Sequence, residues 1–207
     1  MTWQAVFFDF DGVILDSVDI KTIAFAQMFR PYGEDIERQV VDYHIKHGGV
    51  SRFKKFQYFY EELLHRSINE ETIAALSNTF SDLVLKKILE APFMPGVTET
   101  LQSIKEKQIQ AFVVSGTPEE EIQDIIVRRG LASFFLEVHG SPRQKDEIVR
   151  NILSRYPLNS TKCLFIGDAL SDYQAAKQNH LCFLGIVKQG HTSLFSSDTT
   201  ISHIIHL

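Results

Sequence analysis

A chain of 207 residues, 44% hydrophobic and 23% charged, can bury a substantial core and has the make-up of a soluble globular protein: one large domain, or one domain carrying an insertion. Its formal net charge of −5 argues against nucleic acid or an anionic membrane as the main partner, while leaving room for a local basic pocket that takes a small anion. No basic-then-apolar leader precedes the first strand and no apolar run approaches the roughly 20 residues of a membrane span, so the expected location is cytoplasmic.

In chain order, WQAVFFDF (residues 3–10) is short, aromatic and β-branched and ends in an acidic turn, which predicts a buried strand. FFDFDGVILDS (residues 7–17) then sets Asp9 and Asp11 one residue apart, with Asp16 close behind. Like charges at that spacing repel, and carboxylates at the end of an apolar strand are costly to desolvate. Asp16 is expected to cap the helix that follows.

From Val18 to Leu89 helical spacing takes over and no strand is expected. In SRFKKFQYFYEELL, Phe53, Phe56, Tyr60 and Leu63 recur at three- and four-residue steps, with Arg52 and Lys55 on a different face. EETIAALSNTFSDLVLKKILE continues the pattern, and APFMPG (residues 91–96) punctuates it.

Beyond that point helix and strand alternate. VTETLQSIKEK reads as a helix and IQAFVVSG as a strand ending at Ser115-Gly116. PEEEIQDIIVRRG is a helix from Pro118 to Gly130, FFLEVHG a strand and KDEIVRNILSRY a helix. KCLFIGD is a strand ending at Asp168, LSDYQAAKQNH a helix and LCFLGIV a strand. A polar tail follows Gly190, with a small strand at TTISHII. Cys163 and Cys182, the two cysteines, each sit among apolar strand residues and read as free buried thiols.

Such alternation predicts an α/β fold with a Rossmann-like, doubly wound parallel sheet. The helical block reads as a cap at residues 16–93, inserted into a core of residues 1–15 and 94–207. It would lie over the carboxyl ends of the strands, where ligands bind in such sheets. Asp9 and Asp11, Ser115 with Thr117, Lys145, and Asp168 with Asp172 would then converge on one rim. Four carboxylates with one ammonium and one hydroxyl are unstable alone and sensible around a small hard cation such as Mg²⁺. Lys145 and Ser115 stay free for an anion, most simply a phosphoryl group. Metal, anion and a carboxylate nucleophile together indicate phosphoryl transfer.

DFDG, the SG after an apolar strand, a later lysine and GDALSD, in that order, resemble the four motifs of the haloacid dehalogenase superfamily of phosphatases. The helical block after DGVILDS resembles the cap of its phosphoglycolate phosphatase and β-phosphoglucomutase-like branch, and the resemblance spans residues 4–187. It implies that Asp9 attacks phosphorus to give an aspartyl-phosphate, and that Asp11 protonates the departing oxygen and then activates water. It further implies Mg²⁺ on Asp9, the Asp11 backbone carbonyl and Asp168, with Asp172 mostly through water. Ser115, the Gly116 amide and the adjoining Thr117 would bind phosphoryl oxygens, and Lys145 would neutralise the nucleophile and the developing charge. In this branch the lysine usually lies between glycine and proline. Here it sits in SPRQKDE, where Arg143 competes for the role.

HGGVSRFKKF (residues 47–56) is the candidate specificity segment: Gly48 and Gly49 permit close approach to a ligand, and Arg52 and Lys55 suit a second anionic group. The plainer reading is a loop and a solvated helix face. His44 and His47 lack neighbouring metal-ligand partners.

The expected function is therefore a Mg²⁺-dependent phosphatase, monomeric or weakly dimeric, acting on a small phosphorylated metabolite such as a sugar phosphate or phosphoglycolate. A sugar-phosphate mutase is the alternative, although Lys21 stands where those enzymes carry a histidine. Dehalogenases of this fold lack the second aspartate. A receiver-type phospho-acceptor module would be shorter and without the helical block. A catalytically dead relative would lack a required residue, and none is missing.

Overall fold

The computed structural model describes residues 3–206. The chain runs β1 (Ala5–Phe8), then four helices, α1 (Val18–Phe29), α2 (Glu34–Lys46), α3 (Arg52–Tyr58) and α4 (Glu70–Glu90). It continues through α5 (Val97–Glu106), β2 (Gln110–Pro118), α6 (Glu119–Arg128), β3 (Glu137–Ser141) and α7 (Lys145–Arg155). It ends with β4 (Cys163–Gly167), α8 (Leu170–Gln178), β5 (Cys182–Ile186) and β6 (Ile201–Ser202). The predicted small strand in TTISHII is thus present at the sheet edge.

The strands form one sheet in the order β3-β2-β1-β4-β5-β6, every neighbouring pair parallel. A parallel sheet covered on both faces needs strands that are apolar throughout, and all four residues of β1 are fully buried. Alternate residues point to opposite faces. Val6 and Phe8 pack with Leu101 and Ile104 of α5 and Ile122, Ile125 and Ile126 of α6. Ala5 and Phe7 pack with Ile148, Val149 and Ile152 of α7 and Ala175 and Ala176 of α8. Phe7 stacks on Phe112 of β2 with ring centroids 5.1 Å apart.

The helical block has its own aromatic centre. The Phe25 ring lies 4.4 Å from Phe80 and 5.6 Å from both Phe56 and Phe59. Such ring contacts add to the area that the side chains bury. The face expected of α3 is only partly right. After Tyr58 the helix widens into one π-helical turn, Phe59–Leu63. The extra residue per turn rotates Phe59 into the core, fully buried, and leaves Tyr60 and Leu63 half-buried. Arg52 and Lys55 lie with Phe56 and Phe59 on the buried face, 4% and 2% exposed, and the solvated face of α3 carries Lys54 and Gln57 instead.

The chain leaves the core and re-enters it along one two-stranded seam. Leu15 bridges Phe93, Asp16 N–H donates to Pro92 O at 2.9 Å, and Met94 N–H donates to Ile14 O at 3.0 Å. Asp16 does not cap α1: Ser17 holds the N-cap position, and the Asp16 carboxylate faces Lys188 at 3.1 Å. The third strand starts later than FFLEVHG implies. Ala132–Phe134 is a 3₁₀ turn, and pairing with β2 begins at Glu137. Cys163 is buried and Cys182 half-buried, and both thiols are free. Among the described residues no helix is long and apolar enough to cross a membrane.

Candidate active site

Parallel strands deliver their carboxyl ends to one edge of the sheet, and the residues expected there are brought together. Asp9 follows β1, with its N–H on Ile166 O of β4 at 2.9 Å. Asp168 follows β4, and Asp172 lies in the first turn of α8. One carboxylate oxygen from each of Asp9, Asp168 and Asp172 lies within 4.8 Å of the others. Lys145, the first residue of α7, reaches into this group, its Nζ 2.8 Å from Asp9 Oδ2 and 2.6 Å from Asp172 Oδ1. Arg143 points elsewhere, pairing with Glu119 and lying 2.9 Å from His139 Nδ1. Of the two, Lys145 is the cation that stands beside the carboxylates.

The cluster is crowded and dry, and its electrostatics follow. Burial, reinforced by repulsion from Asp9 and Asp172, pushes the Asp168 carboxyl well above the usual range. Burial and Asp9 push Asp172 up to about 7 against the pull of Lys145. Burial opposes charge on Lys145, but Asp172 and Asp9 outweigh it and raise its affinity for the proton. The donor set fits a small, hard divalent cation. It is all oxygen, closely spaced, and short of positive charge by the measure of its own raised carboxyl groups. Gly12 is part of this fit. Its φ is +75°, and a Cβ there would run into the Asp168 carboxylate.

Asp11 stands apart from the acidic trio. Its Oδ1 accepts from Ser17 Oγ at 2.6 Å, and its Oδ2 accepts from Lys21 Nζ and, at 3.2 Å, from Thr117 Oγ1. Burial alone would raise its pKa, but the Lys21 charge and the three donors win and hold it below the carboxylate norm. The side chain of Asp11 is thus not among the gathered metal-ligand candidates. Lys21 and Ser17 are partners of Asp11 that sequence reasoning missed. The tight turn of residues 10–15, in which Leu15 N–H and Ile14 N–H both donate to Phe10 O, folds α1 back over the acidic strand end. Nothing in the spacing of Asp11 and Lys21 signals that pairing.

Ser115 is 1% exposed, and its Oγ accepts from Thr117 N–H at 3.1 Å rather than capping α6. Gly116 and Thr117 line a cavity of about 310 Å³ that Asp9, Asp11 and Asp168 share. Gly48, Gly49, Arg52 and Lys55 reach the same cavity from the helical block. Gly48 O accepts from Ser171 Oγ at 3.2 Å. Gly49, at φ +71°, lies so close to Ser171 and Lys145 that a Cβ would collide. Arg52 is engaged internally: it donates to Glu121 Oε1 at 2.6 Å and Ser81 Oγ at 2.7 Å, with its guanidinium 4.6 Å from the Phe80 ring centre. Lys55 Nζ lies 2.7 Å from His44 Nδ1. Burial, followed by like charges, drives Lys55 down to about 7 and His44 down to about 2. Neutral His44 therefore accepts a hydrogen bond from Lys55 through Nδ1. His47 is exposed and turns its Nδ1 to Tyr43 O at 2.9 Å.

The tail after β5, which sequence reasoning left without a role, supplies the remaining wall. Lys188, His191, Thr192, Leu194 and Phe195 all line the large cavity.

A profile of the haloacid dehalogenase-like hydrolase family matches residues 6–186. The phosphoglycolate phosphatase of Vibrio vulnificus strain YJ016 is 26% identical over 192 residues, which cover 88% of this chain and 83% of that protein. The phosphorylated carbohydrates phosphatase of Thermotoga maritima is 26% identical over 184 residues, covering 84% and 80%. Among solved structures, the β-phosphoglucomutase of Clostridium difficile superposes with a TM-score of 0.74 at 20% identity, covering 91% of this chain and 86% of that one. These relatives and this neighbour are those of the phosphoglycolate phosphatase and β-phosphoglucomutase-like branch. With the profile covering nearly the whole chain, and with its strand-end carboxylates, lysine and helical block in place, the chain belongs to the haloacid dehalogenase-like hydrolase family.

Proposed function

We propose that the chain is a Mg²⁺-dependent phosphatase that hydrolyses a small phosphorylated metabolite, in the range from phosphoglycolate to sugar phosphates, through an aspartyl-phosphate. The observation that carries this reading is the division of labour between two carboxylates a residue apart. Asp9 sits in the acidic trio against Lys145, whereas Asp11 is held separately by Ser17, Lys21 and Thr117. A nucleophile and an acid–base group need such different surroundings.

In the first step an Asp9 oxygen forms a bond to phosphorus as the bond to the leaving oxygen breaks, and Asp11, ionised in the free chain, relays to that oxygen the proton that a monoanionic phosphate ester brings. In the second, Asp11 takes a proton from a water that attacks phosphorus, and the bond to Asp9 breaks to regenerate the carboxylate. Lys145, Ser115 and the Gly116 amide hold the phosphoryl oxygens. Asp9, Asp168 and Asp172, with the Asp11 carbonyl, would hold Mg²⁺, which lowers the repulsion between carboxylate and phosphoryl group. Residues 16–93 act as a cap. The paired linkers at residues 14–16 and 92–94 support a hinge at its base, and the Gly48–Gly49 loop supports a seal over Lys145.

The test is phosphate release from a panel of phosphoglycolate, sugar phosphates and nucleotides, with Mg²⁺ and again with chelator. Mg²⁺-dependent release, lost in Asp9→Asn with the circular dichroism spectrum unchanged, is the expected result. Release that survives Asp9→Asn overturns the nucleophile. Isomerised sugar phosphate without free phosphate makes the chain a mutase.

A further inference from the structure

The catalytic end of the cavity is ionic, whereas its outer wall sets apolar side chains beside the paired Lys188, Asp16 and Asp19 and beside His191. Two of the exposed large apolar side chains of the chain stand on that wall. Ile45, at the end of α2, is 52% exposed, and Leu194, in the segment between β5 and β6, is 47% exposed. An apolar side chain left open at the mouth of a ligand cavity gains most when a ligand covers it.

The wall that carries Leu194 is tied down at both ends. Phe195 packs edge-on to Phe183 of β5 with centroids 5.2 Å apart, in turn 5.4 Å from Tyr173 of α8. Lys188 Nζ lies 3.1 Å from Asp16 and 3.5 Å from Asp19, fastening the segment to the start of α1. Meanwhile the cations around the cavity already have partners: Lys21 on Asp11, Lys145 on Asp9 and Asp172, Arg52 on Glu121, and Lys55 on His44. Arg52 and Lys55 are almost wholly buried and Lys188 is paired with Asp16 and Asp19, so every lysine and arginine lining the cavity is already engaged.

We infer that the substrate is a phosphomonoester whose far end is an apolar arm of several carbons, and that Leu194, Phe195 and Ile45 select it. This keeps the phosphomonoester of the proposed phosphatase, on which it rests for the placement of the phosphate, and replaces the polar far end of phosphoglycolate or a sugar phosphate with an apolar one. Specificity is then shared between the helical block and a core segment beyond the last acidic motif.

The probes are n-alkyl phosphates from ethyl to hexyl, with phosphoglycolate for contrast, all in Mg²⁺. Phosphate release and calorimetric affinity are both measured. The expected result is a rise in kcat/KM, and in affinity, of about fourfold per added methylene until the cavity is filled. Leu194→Ser and Ile45→Ser, with melting temperatures unchanged, should each cut the hexyl-to-ethyl ratio by about tenfold or more. A flat or falling series, a preference for phosphoglycolate over hexyl phosphate, or equal losses on every substrate overturns the apolar wall. Release without chain-length preference removes the wall and keeps the phosphatase. Affinity that climbs with chain length and falls in Leu194→Ser, with no release from any compound, keeps the wall and removes the phosphatase.

Discussion

Asp11 and Lys55 show how single side chains are set by partners far away in sequence. Asp11 takes its charge and its direction from Lys21, a turn into α1, and from Thr117 of β2. Without Lys21 the carboxyl keeps its desolvation and loses its counter-charge, so both its orientation and its ionisation suffer. Lys21→Met should therefore lower kcat by about a hundredfold, the scale of one acid–base contribution, with a much smaller change in KM. A loss confined to KM would mean that Lys21 binds substrate instead. Lys55 shows the cost of burial directly. Its pKa falls from 10.5 to about 7 in the folded chain. Below about pH 7 the folded chain carries a buried ammonium, and between there and 10.5 the unfolded chain binds more protons. Stability contributed through this group thus rises with pH across that window. Lys55→Met removes the penalty where it is largest, so its melting temperature relative to the parent should be more favourable at pH 6.5 than at pH 9.5. The reverse order would show that the folded chain stabilises the Lys55 ammonium instead of penalising it.

At the scale of elements, the strand ends were legible and the turns that aim them were not. Continuous apolar runs ending in Asp9, Ser115 and Asp168 announce buried parallel strands, because only two-sided burial tolerates them. The π turn at Phe59–Leu63 carries no such mark. It arises from packing the aromatic cluster around Phe25, which a helical period read alone cannot see. The seam between helical block and core is equally silent in the sequence, although its glycines are visible. Gly49 is needed twice over, for a left-handed φ of +71° and for the absent side chain beside Ser171 and Lys145. Gly49→Ala should lower the melting temperature, as any side chain at that φ does, and also lower kcat/KM by about tenfold or more, since displacements of an ångström in a closed site carry that cost. Gly33, at φ +107° with open space around it, is the control: Gly33→Ala strains the start of α2 and should cost stability while sparing turnover.

At the scale of the whole molecule, the sheet order β3-β2-β1-β4-β5-β6 puts the point where the strand order reverses beside β1, where doubly wound sheets open a crevice. That topology gathers Asp9, Asp168 and Asp172 from distant parts of the chain into one closely spaced group. Folding must therefore overcome their repulsion, and the cation that matches them should act as a folding ligand. At about a hundred times its dissociation constant, a ligand specific to the folded state adds about 2.7 kcal/mol. For a chain of this size that is about 5–10 °C in melting temperature. Asp168→Asn separates this from a general salt effect, because it removes both a repelling charge and a metal ligand. In chelator the variant should melt higher than the parent, through relief of the repulsion that raises the Asp168 carboxyl. In Mg²⁺ it should melt lower, having lost the gain from the ion. A crossing of the two melting temperatures with added Mg²⁺, absent with added Na⁺ at equal ionic strength, is the expected outcome. Parallel curves would show that the three carboxylates do not act together on a metal.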